Sequence, residues 1–198
     1  MAEKYSVVRT DNMMGTNVGT YLDSVRFVTV DSSGASPVDV PTAIENGNVV
    51  LVGDLLPGER EVHRATAPLA NSNLKQIGLV ATPEVLYDER KRGLDQFINE
   101  AGRAARIYYF HSGDEFSVTA EGLAAAAAIA VGDLVELQAG TKLKVVKSAT
   151  GGSTQVGKII AIETAGRYTY YEKPLQIISK EVQRLYGRYY SYKNQILF

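Results

Sequence analysis

The sequence predicts a mainly β (α+β) fold: a small β-barrel or β-sandwich with one helix, an extended N-terminal arm and a C-terminal tail. Three observations predict it. Short apolar-alternating segments recur along the chain, separated by Gly, Asp, Asn and Pro, the pattern of half-buried strands and their turns. Five of these segments crowd into residues 113–171, enough to close a small barrel or sandwich. A single long stretch, 86–101, carries helical spacing instead.

The elements follow in order. Residues 1–24 hold turn formers (Asp11, Asn12, Gly15, Asn17, Gly19) with little periodicity and read as an arm. The region 25–112 is mixed β/α. Val25–Val30 alternates as a strand, and the following DSSGASPVDVP is a turn-rich connector. Gly47-Asn48 opens an apolar strand over Val49–Val52, stopped by Gly53-Asp54 and Pro57-Gly58. Residues 59–75 show no period and read as a surface excursion. Gln76–Ala81 is a short apolar strand closed by Thr82-Pro83. The helix over 86–101 places Leu94, Phe97, Ile98 and Ala101 on one stripe, with Gly102 as its cap and Gly93 as its weak point. Arg106–Phe110 is rich in β-formers.

Residues 113–171 form the predicted compact β unit. Its strands are Glu115–Thr119, Asp133–Gln138, Lys142–Lys147, Val156–Glu163 and Arg167–Tyr171. Ala124–Ala128 has helical composition but is boxed in by Gly122 and Gly132, so it reads as a tight turn of helix or a loop packed on the barrel. Val52-Gly53-Asp54-Leu55 recurs as Val131-Gly132-Asp133-Leu134, which fits either a duplicated β module or a common turn used twice. Residues 172–198 differ in character. Leu175–Leu185 has the spacing of a short helix, and seven of the 12 Tyr lie after residue 166.

Composition narrows the function classes. A net charge of -1 gives no global field for nucleic acid or an anionic membrane. The apolar run Leu123–Val131 is too short to span a bilayer, and the first residues do not resemble a signal peptide, so a soluble chain is expected. No Cys is present, which excludes disulfides and thiolate chemistry and fits a reducing cytosol. The two histidines, His63 and His111, sit in no metal-ligand spacing. Gly151-Gly152-Ser153-Thr154 lacks the lysine of a phosphate loop and reads as a hairpin. Glu84, Asp88 and Glu89 are followed directly by Arg90, Lys91 and Arg92, the mark of a solvated, ion-paired face. Glu115, Asp133 and Glu136 are the carboxylates a hydrolase would use; no enzyme activity is expected. No catalytic, cofactor-binding or metal site is assigned.

The tail interleaves aromatic and basic residues. Arg184, Tyr186, Arg188, Tyr189, Tyr190, Tyr192 and Phe198 are the candidate interface. Such residues stack on single-stranded nucleic acid, but they are also favoured at protein interfaces. With the chain slightly acidic, a protein interface is the expectation.

Several stretches resemble a family of tailed-phage head proteins, small structural proteins that decorate or cement the capsid. They are IENGNVVLVGDLL (44–56), EREVHRATAP (59–68), LVATPEVLYDERKRGLDQFINEAG (79–102) and residues 106–171, where VELQAGTKLKVV and GRYTYY are the most distinctive phrases. The stretches span residues 44–171, about two-thirds of the chain, and the likeness departs after Tyr171. The resemblance implies a β-rich protein on the outer face of the capsid, made in the host bacterial cytoplasm and located in the virion. It implies the major capsid protein as partner, with neighbouring copies in a homo-oligomer on the shell. No membrane or nucleic-acid partner is implied. The alternative within the virion is a head fibre, connector or tail-associated β protein.

Overall fold

The protein is described by a computed structural model covering residues 4–9, 21–34, 36–86, 93–125, 128–165 and 168–174. It is mainly β with almost no helix: thirteen strands among the described residues, joined by single 3-10 turns. The first six strands are β1 (Leu22–Asp31), β2 (Val38–Pro41), β3 (Val49–Leu55), β4 (Val62–Thr66), β5 (Ile77–Val80) and β6 (Ala105–Tyr109). Strands β1, β4, β3, β5 and β6 pair in that order, and β6 returns to β1, closing a five-stranded barrel. Strands β1 and β4 run parallel, with Val25 beside His63. The other pairings in the ring are antiparallel.

The barrel therefore lies between Leu22 and Tyr109, upstream of the segment 113–171 where the sequence places it. Closure joins strands far apart in the chain, with Leu22 opposite Tyr108. Local turn spacing carries no signal for such a pairing. The segment downstream forms two further sheets. One has four strands in the order β11 (Gln155–Lys158), β9 (Leu134–Glu136), β10 (Leu143–Val146) and β8 (Leu123–Ala125). The other has β12 (Ala161–Ala165), β13 (Tyr168–Pro174) and β7 (Glu115–Thr119). Strand β13 crosses the expected boundary at residue 171, since Glu172, Lys173 and Pro174 pair with Ser117, Phe116 and Glu115.

Two cores explain why β3 and β5 read as apolar runs. Val25, Phe27, Val50, Val52, Ala65, Val80, Ala105 and Ile107 pack together as one cluster, fed by alternate residues of the ring. The alternating partners Val49, Ile77, Leu79 and Tyr108 belong to a second cluster with Val118, Val135, Leu137, Leu143 and Ile159. All four residues of β5 are buried, as expected of a strand covered on both faces. Gly78 makes the small barrel packable, because a Cβ there would lie 2.6 Å from Ile107 Cδ1. Gly47 has φ +82 and would put a Cβ 2.6 Å from Val118 Cγ2, so both conformation and space demand glycine.

Three expectations change. Of the helix over 86–101, residues 87–92 lie outside the described set, and 93–101 are not α-helical. Leu94–Gln96 make one 3-10 turn, and Phe97 is already extended with φ -84 and ψ 135. Leu94 is exposed while Asn99 is buried, pairing with Ile44 and donating from Nδ2 to Ile44 O and Asn46 Oδ1. Those bonds hold the backbone extended against a helical propensity already weakened by Gly93. The described part of the N-terminal arm, residues 4–9, is a docked strap. Val7 and Val8 are buried, Val8 bridges Val118, and Thr119 N donates to Val7 O at 3.0 Å. The Ser6 hydroxyl donates to Asn46 O. Residues 22–24 belong to the barrel. Ala124–Ala125 lie in β8, parallel to β10, instead of a helical turn. The tail beyond Pro174, including the short helix over 175–185, lies outside the described residues.

Candidate functional site

The expected interface residues Arg184, Tyr186, Arg188, Tyr189, Tyr190, Tyr192 and Phe198 lie outside the described residues. Within the described set, the most exposed ordered element is a two-stranded ribbon. It joins the end of β1 to β2, with Val28, Thr29, Val30 and Asp31 opposite Pro41, Val40, Asp39 and Val38. The sequence reads this segment as a connector because its four β2 residues are all exposed and Pro and Ser surround them. The chain turns at Asp31, whose Oδ1 accepts from Ser33 N at 2.9 Å and whose carboxyl that amide holds below its usual range.

One face of the ribbon is braced against the barrel. Arg64 of β4 donates from Nε and Nη2 to the two oxygens of Asp39, at 2.5 and 2.6 Å. This fork-to-fork contact lowers the Asp39 pKa and raises that of Arg64. Side chains alternate along a strand, so Val38 and Val40 point to the opposite face. They are 59% and 43% exposed, whereas Val30 pairs with Asp39 and lies on the braced face. Pro37 and Pro41 flank the outer strand, and Pro cannot donate to a further ladder. The ribbon thus offers an apolar face more readily than an open edge.

At the other end of the barrel lies an open cleft of about 560 Å³. It brings together His63 and His111, which the sequence separates widely and in no metal-ligand spacing. His63 Nδ1 lies 2.9 Å from Gly53 O, and its Nε2 lies 3.4 Å from Asp23 Oδ2. Tyr109 donates its hydroxyl to the same Asp23 oxygen at 3.1 Å. Burial and the Asp23 charge push the Tyr109 hydroxyl up to about 12, so it stays a neutral donor. His111 rests on Tyr21, ring centroids 4.0 Å apart, and its Nδ1 lies 3.1 Å from Tyr109 O. Lys75, Gln76 and Ser112 complete the polar rim. Sequence spacing could not assemble this group, because barrel closure places Asp23, His63 and Tyr109 together.

The carboxylates considered for hydrolysis serve separate local purposes. Asp133 accepts from Lys147 Nζ at 2.7 Å and from Ala130 N at 2.8 Å, which hold its carboxyl below the usual range. Glu136 is buried and takes Thr150 N at 2.7 Å. Glu115 is exposed at the start of β7. Glu84 accepts from Asn46 Nδ2 at 3.1 Å, and burial raises its pKa. Among the described residues, no cluster of three or more His, Cys, Asp or Glu is placed to hold a metal ion. No helix there is long and apolar enough to cross a membrane.

No protein-family model, curated protein or solved structure matches the chain.

Proposed function

We propose that this protein is an auxiliary structural protein of a tailed-phage virion. It binds the outside of the head shell and stabilises it through contacts with major capsid subunits. The observation that carries this reading is the projecting ribbon, whose Val38 and Val40 face solvent while Arg64 holds its other side to the barrel. An apolar face on a braced support suits insertion into a groove of a partner, since little ordering entropy is lost on docking. Many identical weak contacts on a lattice add up through avidity, so each can be modest. The resemblance of several phrases to those of capsid-decorating proteins points the same way, and the aromatic and basic tail is the second candidate contact element.

The test is co-sedimentation of purified protein with shells that lack it. The wild-type chain is expected to bind and to raise the temperature at which the shells rupture. The doubly substituted Val38→Asp, Val40→Asp chain is expected to keep its own thermal midpoint and lose attachment. Undiminished attachment of that variant would remove the ribbon from the interface. Failure of the wild-type chain to bind any such shell would remove the capsid reading.

A further inference from the structure

The cleft at the far end of the barrel has unused binding capacity. Among the described residues, Lys75 makes no ion pair, and the side chains of Gln76 and Ser112 make no hydrogen bond. His111 uses Nδ1 on Tyr109 O and faces Asp114 Oδ2 at 3.6 Å, which leaves Nε2 available. The carboxylates beside the cleft are engaged already, Asp23 by Tyr109 and His63, and Asp114 by the His111 backbone amide. Val52 and Phe110 add apolar wall.

We propose that this cleft binds a small hydroxylated carboxylate, such as an acidic sugar, with Lys75 taking its carboxylate and Gln76, Ser112 and His111 Nε2 taking its hydroxyls. The charge balance selects a single negative charge. One ammonium matches one carboxylate, whereas a dianion such as phosphate would be opposed by Asp23 and Asp114 nearby. Amide, hydroxyl and imidazole offer both donors and acceptors, which suits hydroxyl groups. The cleft is open, so it accepts a free sugar or the end of a saccharide chain. It also leaves the ribbon free. Asp23 and Thr29, the partner of Val40, lie on one strand with six residue steps between them, about 20 Å at strand rise. A protein docked through the ribbon would therefore still present the cleft. This inference does not depend on the identity of the docking partner.

The experiment is an amide chemical-shift titration of the isotope-labelled full chain with glucuronate, glucose and inorganic phosphate as its dianion. Glucuronate is expected to saturate with Kd on the order of 1 mM, as suits one exposed charge contact with a few hydrogen bonds. The shifts should centre on Gly53, Lys75, Gln76 and Ser112. Glucose and phosphate should bind at least about fivefold more weakly. Lys75→Gln should bring glucuronate down to the glucose level, and Lys75→Arg should retain binding. A glucuronate-terminated oligosaccharide that binds more tightly than the free sugar would identify a chain end as the ligand. Equal affinity would identify the free sugar. Absence of saturable shifts, equal binding by phosphate, or an unaffected Lys75→Gln variant would overturn the proposal.

Discussion

Replacing Gly78 with alanine probes how tightly the barrel is filled. A Cβ at this position would sit 2.6 Å from Ile107 Cδ1 and 3.0 Å from Ile107 Cβ, well inside contact distance. Ile107 is fully buried at the centre of the first core, so it has no room to swing away. Overpacking of this kind costs about 1–3 kcal/mol. For a chain of this size each 1 kcal/mol moves the thermal midpoint by about 2–4 °C. Ile107→Val removes the nearest atom and alone should cost about 0.5–1.5 kcal/mol. The double variant should then lose less than the sum of the two, by more than about 0.5 kcal/mol. Urea unfolding followed by circular dichroism measures all three. A Gly78→Ala chain as stable as wild type, or strict additivity in the double variant, would refute the packing argument.

Other expectations follow from the same structure. Leu137→Ala, at a fully buried site in the second core, should cost about 2–5 kcal/mol in denaturant unfolding. Deleting residues 1–9 exposes the surfaces covered by Val7 and Val8, and burying a valine is worth about 1.5–3 kcal/mol. The shortened chain should therefore show a clearly lower thermal midpoint, and amide exchange should quicken along β7. Lys147→Met should lower stability near neutral pH, because Lys147 holds the Asp133 carboxyl below its ordinary value of 3.8. A depressed carboxyl contributes stability above its unfolded pKa and loses it as pH falls through the folded one. The gap in thermal midpoint between wild type and variant should thus be full at neutral pH and close as the medium is acidified below that ordinary value.

Strands covered on two faces were the easiest to read from sequence. Val49–Val52 and Gln76–Ala81 appear as β3 and β5 nearly where expected, because continuous apolar runs report double burial, and Arg106–Phe110 appears as β6 through its β-forming residues. Glu115–Thr119 matches β7. Strand β4 was missed because only Ala65 of its five residues is buried, and His63 and Arg64 give it a polar surface. Strand β2 was missed for the opposite reason: nothing covers it, so no apolar periodicity was required. The stripe Leu94, Phe97, Ile98 and Ala101 imitated a helix, yet among the described residues of that stretch the side chain that is buried is Asn99, held by polar partners. The cleft was invisible because its members come from β1, β3, β4 and β6 and the turns beside them, and only ring closure brings them together.

The pairing of β1 with β6 has a consequence for how the chain comes to be folded. As the chain leaves the ribosome, β1 emerges early and must wait for β6, some eighty residues later, before the ring can shut. Bonds between such distant segments are made late and slowly, since the intervening loop must be closed first. Until then the edge of β1 that β6 will take, Leu22–Val25, is open to strands of other molecules, which makes the nascent chain most vulnerable to association just before Ala105–Tyr109 appears.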